Sequence, residues 1–292
     1  MPFLLLVPVA LSVGAVVALL AARYPTPVVG ERPAAAAAEA VGHEAAKHHW
    51  LHVVLSRRLD PATATGLALT AALGVAIVGG LVIGVLAYLT RTSDRLVELD
   101  RRAGQWGADH ATEWSTDAIQ LVTELGGTWL VLAAAVAVSA VEIVRTRNRW
   151  IPAFLLTVVL GEVILVNAIK EVLDRVRPTF NPITETLGPS FPSGHSATAA
   201  AFYAAAALVL SRGRTPRVRA LLAGGGVAIA VGVAESRVLL GVHWLSDVVA
   251  GLAFGWAWFA LCAIAFGGRL LRFGAPAETA ARIADREDPR SV

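Results

Sequence analysis

The chain has 292 residues, of which 56% are hydrophobic and only 16% are charged, and its mean hydropathy is +0.63. Soluble domains usually carry about 25% charged residues, so this chain has too little polar surface for a water-soluble body and the bilayer is its expected solvent. The net charge of +3 indicates arginine-rich inner loops rather than a nucleic-acid partner, and the single Cys262 excludes an internal disulfide.

Seven apolar runs approach or reach the length of about 17–25 residues with which a helix crosses a bilayer. The fifth and sixth runs are short, and we expect them to extend into their flanking residues. The sequence therefore predicts an all-α, polytopic transmembrane helix bundle. In chain order the runs are Phe3–Ala22, Thr65–Tyr88, Thr128–Val144, Ile151–Ile169, Ser196–Leu210, Ala220–Ala234 and Val248–Phe266.

The chain is expected to divide into three parts. Residues 1–65 form an N-terminal transmembrane helix and a polar linker. The absence of a basic segment before the helix favours a retained helix, and the alternative is a cleaved signal peptide. Residues 66–268 form the membrane core, and 269–292 form a charged tail. The linker carries a histidine cluster that an interfacial helix explains better than a metal site does. Its members are His43, His48, His49 and His52.

Arginines mark one side of the membrane. They crowd the short loops at 145–149 and 212–219 and follow the last run at Arg269 and Arg272. Cytoplasmic loops carry an excess of Lys and Arg, so these segments are expected in the cytoplasm. Three polar motifs then fall on the opposite, extracytoplasmic face.

The first motif, Lys170-x6-Arg177-Pro178, lies at the end of the fourth run. A spacing of seven residues is nearly two helical turns, so both cations are expected on one side of a helix that Pro178 ends. The alternative is a pair of snorkelling anchors at a helix end.

The second motif, Pro192-Ser193-Gly194-His195, opens the fifth run. Ser193 is expected to cap the helix, whose free N–H groups and positive end favour an anion. Gly194 allows the backbone to approach that anion closely, and His195 would lie beside it. The alternative is an ordinary cap followed by an interfacial histidine.

The third motif, Ser236-Arg237-x5-His243-x3-Asp247, precedes the seventh run. His243 and Asp247 are expected to stack on one helical face. A carboxylate behind an imidazole fixes its tautomer, which suits a nucleophile, and Arg237 can reach the same oxyanion. The alternative is a polar pair at the membrane interface.

Together the three motifs resemble the signature of the type 2 phosphatidic acid phosphatase (PAP2) family, which shares its site with vanadium haloperoxidases. The resemblance covers roughly residues 66–268 and implies a six-helix core, to which the first run adds one N-terminal helix. It also implies that His243 attacks phosphorus and forms a phosphohistidine, that Asp247 orients His243, and that His195 protonates the leaving oxygen and then activates water. The implied phosphate-binding residues are Lys170, Arg177, Ser193, Gly194 and Arg237.

The expected function is that of an enzyme of the cell membrane that hydrolyses a lipid phosphate or pyrophosphate ester at its extracytoplasmic face, with no metal or other cofactor. Phosphatidate, phosphatidylglycerol phosphate and polyprenyl pyrophosphate all remain candidates, because the motifs read the phosphate and not the tail. One alternative is a vanadate-dependent haloperoxidase, which the apolar runs disfavour. The other is a catalytically silent lipid-binding or transport protein, which the intact His195, His243 and Asp247 disfavour.

Two further features bear on the architecture. Gly251-x3-Gly255 favours close helix packing within the bundle over a dimer interface, and the oligomeric state stays open. The amphipathic segment 91–127 either caps the site or lies in the headgroup layer.

Overall fold

The computed structural model describes residues 3–23, 64–110, 112–179 and 188–270. Within these ranges the chain forms nine helices and no strand, and each predicted apolar run lies inside one of the helices, so the all-α prediction is confirmed. The histidine cluster and nearly all of the charged tail lie outside the described residues. The helices are α1 (Phe3–Arg23), α2 (Ala64–Thr92), α3 (Asp94–Asp109), α4 (Glu113–Glu124), α5 (Thr128–Thr146), α6 (Trp150–Leu173), α7 (Gly194–Leu210), α8 (Pro216–Leu239) and α9 (Leu245–Leu270).

Five of the described helices are long and apolar enough to cross a membrane. They are the Ala71–Thr92 part of α2, then α5, α6, α8 and the Leu245–Phe266 part of α9. Helix α7 and the Val7–Leu19 part of α1 are shorter apolar helices. Large apolar side chains such as Leu81 and Val144 lie exposed on the outside of the bundle, where acyl chains rather than water would cover them. The chain is a multi-pass membrane protein.

Helix α7 lies at the centre of the bundle. Its alanine-rich sequence is apolar around the whole circumference, which is the pattern of a helix buried on all sides, and Ser196–Phe202 is buried without a break. The main core lies where α7 meets α5, α6 and α9, and the buried Cys262 belongs to it. A short helix suffices at this position because its neighbours, not lipid, surround it.

The glycine pair of the sequence brings α9 against α7. A Cβ atom on Gly251 would lie 2.5 Å from the Ser193 carbonyl oxygen and 3.0 Å from the Ser196 Cβ, so only glycine allows this approach. Gly255 faces Ala197 and Ala200 in the same way. The prediction of close packing within the bundle is confirmed, and the N-terminus of α7 is thereby held beside the first turn of α9.

Helices α3 and α4 form the segment whose placement the sequence left open. Each begins at a side-chain cap, Ser93 for α3 and Thr112 for α4. Gly107 of α3 packs on Leu239, where an added Cβ would lie 3.1 Å from the Leu239 Cα. Ile119 of α4 packs with Leu240. One face of the segment therefore covers the end of the bundle that carries the three motifs.

Two predicted helix ends are wrong. Helix α6 ends at Leu173 because Asp174 adopts a left-handed conformation, with φ of 41°, and its N–H donates to the Lys170 carbonyl oxygen. Aspartate tolerates this conformation better than most residues. Arg177 therefore follows the helix instead of sharing a helical face with Lys170, and Pro178 does not end it. Similarly, α9 begins at Leu245, so His243 lies in the preceding turn.

Candidate active site

The three motifs meet at one end of the bundle. The Ser193 N–H donates to the Asp247 carbonyl oxygen at 3.0 Å, which joins the second motif to the third. A Cβ placed on Gly194 would lie 4.0 Å from the Lys170 Nζ, which joins the first motif to the second. His195 lies on the first turn of α7. It is close enough to the other motif groups to interact with them electrostatically, and these groups are Arg237, His243, Lys170 and Arg177. All eight predicted site residues thus lie together.

His243 is buried, with 2% of its surface exposed, and each ring nitrogen faces a charged partner. Its Nε2 lies 3.2 Å from the Arg177 Nη1, and its Nδ1 lies 3.4 Å from the Asp247 Oδ2. A guanidinium has no acceptor, so Nε2 must carry the lone pair and Nδ1 the hydrogen. At 3.4 Å, the distance from Nδ1 to the Asp247 Oδ2 is longer than that of an ordinary hydrogen bond.

Burial lowers the pKa of His243 to about 4, and the interaction of the ring with the Asp247 carboxylate opposes that shift only in part. The imidazole is therefore neutral at pH 7. A neutral ring with its lone pair on Nε2 is in the state that a nucleophilic histidine requires.

Asp247 owes its position to the first turn of α9, where carboxylates are favoured by the free N–H groups and the helix dipole. It is fully buried. Its Oδ2 accepts a hydrogen bond from the Trp244 N–H at 3.0 Å, the return half of a capping box. Its Oδ1 accepts from the Arg175 Nη1 at 2.5 Å.

Arg177 is fixed by carbonyl oxygens of two chain segments. Its Nε donates to Gly188 at 2.9 Å, its Nη1 to Val242 at 2.9 Å and its Nη2 to Pro189 at 3.2 Å. Burial lowers the pKa of Arg177 below its ordinary value, and the charge of Asp247 offsets part of this effect. The guanidinium remains charged and can hold an oxyanion above the His243 ring.

Arg237 lies in the last turn of α8 and is 5% exposed. Its Nη1 donates to the Thr123 Oγ1 of α4 at 3.0 Å. Its buried Nε finds no hydrogen-bond partner among the described residues. Leaving such a donor unpaired is costly, so the group is suited to an anionic ligand.

Ser193 caps α7 as predicted. Its Oγ accepts a hydrogen bond from the Ser196 hydroxyl at 2.9 Å and a longer one from the Ser196 N–H at 3.5 Å. Gly194 is the first helical residue. The buried start of α7 thus presents N–H groups and a positive dipole to the same space that the cations surround.

Sequence reasoning missed four residues that support the site. Asp100 lies on the buried face of the amphipathic helix α3, and a charged residue on that face was the available signal. Arg175 lies between Lys170 and Arg177, and the motif drew attention to those two residues instead. The set comprises Asp100, Thr123, Arg175 and Ser246.

A neutral buried imidazole backed by a carboxylate, with three cations and a helix start around it, is suited to a phosphate-like oxyanion. The model of the PAP2 superfamily matches residues 151–270. Over 147 residues the chain is 33% identical to phosphatidylglycerophosphatase B of Bacillus subtilis, covering 49% of this chain and 70% of that protein. The chain belongs to the PAP2 superfamily, as the motifs predicted.

Two further similarities, to a solved structure and to another bacterial phosphatase, agree with this family. The crystal structure of the transmembrane PAP2-type phosphatidylglycerolphosphate phosphatase from Bacillus subtilis aligns with a TM-score of 0.63 at 28% identity, covering 68% of this chain and 98% of that chain. Lipid A 1-phosphatase of Rhizobium etli is 40% identical over 122 residues, which is 38% of this chain. The chain spans about half the length of that relative, 48%.

Proposed function

We propose that this protein is a membrane phosphatase that hydrolyses a lipid phosphate or pyrophosphate ester through a phosphohistidine on His243. The observation that carries the proposal is the direction in which the His243 Nε2 points. It faces the Arg177 guanidinium at 3.2 Å while Asp247 lies behind the ring. A phosphate bound to Arg177 would bring its phosphorus within reach of that lone pair.

In the first proposed step, the His243 Nε2 attacks phosphorus and the bond from phosphorus to the ester oxygen breaks. The leaving oxygen takes a proton from His195, and the His243 ring, now bonded to phosphorus, holds its Nδ1 hydrogen towards Asp247. Lys170, Arg177 and Arg237 offset the charge on the phosphoryl oxygens. Fixed donors that meet charge as it develops usually contribute the largest share of such catalysis.

In the second step, His195 takes a proton from a water molecule whose oxygen attacks phosphorus. The bond from phosphorus to Nε2 breaks, inorganic phosphate leaves, and both rings return to their first state. Within the described residues no cluster of three or more His, Cys, Asp or Glu side chains is placed to hold a metal ion. In the proposed steps, Lys170, Arg177 and Arg237 stabilise the negative charge on the phosphoryl oxygens.

The position of the site at the ends of membrane helices supports a lipid substrate. A phosphate bound there can belong to a molecule whose apolar tail stays in the bilayer. The names of the relatives support this, because one acts on lipid A and another on phosphatidylglycerophosphate. The arginine-rich loops at 145–149 and 212–219 support a site on the extracytoplasmic face.

The deciding experiment is phosphate release by purified protein from a panel of phosphatidate, phosphatidylglycerol phosphate, a polyprenyl pyrophosphate and lipid A, each with and without EDTA. We expect release from at least one lipid, little changed by EDTA, and none from the matched His243→Ala variant. Activity that EDTA abolishes and Mg²⁺ restores would refute the metal-independent mechanism. Lipid binding without release would favour a silent binding protein.

A further inference from the structure

A network of three polar side chains, from Arg175, Ser246 and Asp100, lies directly behind Asp247. Arg175 spans it: Nη1 donates to the Asp247 Oδ1 at 2.5 Å and to the Ser246 Oγ at 2.8 Å, while Nη2 donates to the Asp100 Oδ2 at 2.8 Å. Asp100 in turn accepts from the Ser246 N–H at 2.8 Å and from the Ser246 Oγ at 2.6 Å. Helix α3 is thereby joined to the first turn of α9.

Together with Asp247, the network holds two carboxylates that share one guanidinium. Asp100 and Asp247 are 1% and 0% exposed, and the Arg175 side chain between them is 16% exposed. Removing one partner of a buried ion pair leaves an uncompensated charge and is strongly unfavourable. The planar fork of arginine can serve two carboxylates at once, which a lysine ammonium cannot do with the same geometry. Stacking over the Trp244 ring, at 5.6 Å, further fixes the guanidinium.

The network sets the orientation of the Asp247 carboxylate. Arg175 holds Oδ1 and the Trp244 N–H holds Oδ2, so the remaining side of Oδ2 faces the His243 Nδ1 at 3.4 Å. A small rotation of this carboxylate would turn it away from the ring. The charged groups that act on Asp247 are Arg175 and Arg177 after α6, Lys170 at the end of α6 and His243, with Asp100 of α3 acting through Arg175.

We propose that Arg175 and Asp100 are positioning residues for the nucleophile: Arg175 holds Asp247 against His243, and Asp100 holds Arg175. Helix α3, which belongs to none of the three motifs, thus takes part in setting the reactive ring. The inference rests on the proposed function of the same site. Both residues would act through Asp247 rather than on the phosphate itself.

The test compares kcat/KM and its pH profile for Arg175→Met, Arg175→Lys, Asp100→Asn and the double variant Asp100→Asn/Arg175→Met. Misplaced catalytic groups cost about 10²-fold, and we expect a loss of that size for Arg175→Met. Its acid limb should move to higher pH, because the loss of a nearby cation favours protonation of the His243 ring. Arg175→Lys should lose less. The kcat/KM of the double variant should exceed that of Arg175→Met, because the Asp100 side chain is then neutral and no longer repels the Asp247 carboxylate.

Two matched controls lie on the exposed side of α3, where Glu98 pairs with Arg101 and Arg102. Glu98→Gln and Arg102→Met should keep wild-type kcat/KM and pH profile. Additive losses with an unchanged profile would mean that Arg175 and Asp100 serve only folding and would overturn the inference, as would an unaffected Arg175→Met. The isosteric Asp100→Asn keeps the test decisive if Arg175→Met does not fold.

A second measurement separates this inference from the proposed function. Hydrogen–deuterium exchange at the His243 Cε1, followed by mass spectrometry, reports how much of the ring is protonated at each pH and needs no activity. Asp100→Asn leaves the charge of Arg175 less compensated, so the exchange midpoint should move to lower pH, while Glu98→Gln should not move it. An inactive wild-type protein would refute the proposed function, and an unmoved midpoint in Asp100→Asn would refute the positioning role.

Discussion

His243 and His195 have different roles in the proposed reaction, so their variants should fail differently. His243→Ala removes the attacking atom. His195→Ala removes the proton donor, whose contribution is typically about 10²–10⁴-fold. A leaving group that needs little protonation, such as p-nitrophenol, should therefore partly rescue His195→Ala and should leave His243→Ala inactive. Phosphate release from a lipid and from an aryl phosphate measures this, and equal rescue of both variants would mean that the two roles are misassigned.

The buried state of His243 predicts the pH dependence. Its pKa is about 4 in the folded protein and about 6.5 in an unfolded chain. The neutral nucleophile is thus retained as pH falls through 6.5, and kcat/KM should decline only as pH approaches about 4. Because the unfolded state binds more protons between these values, this histidine also makes stability fall from pH 6.5 towards 4.

The measurement is kcat/KM against pH for two substrates whose phosphate groups ionise at different pH. The limb that belongs to His243 should stay in place when the substrate changes. A substrate-independent limb near pH 6.5 would mean that His243 is not desolvated.

Among the elements, the contact of α7 with α9 places two motifs side by side, and it depends on glycine. Gly251→Ala forces a Cβ to within 2.5 Å of the Ser193 carbonyl oxygen. Overpacking of this kind costs about 1–3 kcal/mol, and here it also displaces the helix cap. We expect lower thermal stability in detergent together with reduced phosphate release.

Gly80→Ala on α2 is the matched control, because nothing lies within 4 Å of its added Cβ. Alanine is the better helix former by about 1 kcal/mol, so this variant should be as stable as wild type or slightly more so. Equal stability of Gly251→Ala and Gly80→Ala would show that α7 and α9 tolerate a wider separation from each other.

Helix interiors were predictable from sequence, whereas their ends near the site were not. Long apolar runs identify α5 and α6 without any tertiary information. The end of α6 depends on Asp174, whose left-handed conformation no periodicity reveals. The turn that carries His243 likewise looked like the start of a helix. The errors fall where the backbone leaves regular structure to place functional groups.

Across the whole molecule, local motifs predicted which residues meet, but not what supports them. Ser193 and His243 were found because each belongs to a short pattern of recognisable chemistry. Asp100 and Arg175 lie 75 residues apart along the chain, and no local spacing connects them. Their pairing comes from the packing of α3 on the bundle, which only the fold supplies.

Orientation in the membrane is also a property of the whole chain, and the arginine asymmetry predicts it. In a Cys262→Ala background, cysteine at the exposed Glu113 should react with an impermeant thiol reagent on intact cells, whereas cysteine at the exposed Thr215 should not. Permeabilised cells, in which both should react, provide the control. The reverse labelling pattern would place the site on the cytoplasmic face.

The most direct test of the account is to trap the covalent intermediate. Protein incubated with a lipid carrying a labelled phosphate, quenched at alkaline pH where phosphohistidine survives, should carry the label on His243 when peptides are analysed by mass spectrometry. The label should persist longer in His195→Ala, which cannot activate water, and should be absent from His243→Ala. Label on another residue, or rapid hydrolysis with none trapped in either active protein, would contradict His243 as the nucleophile.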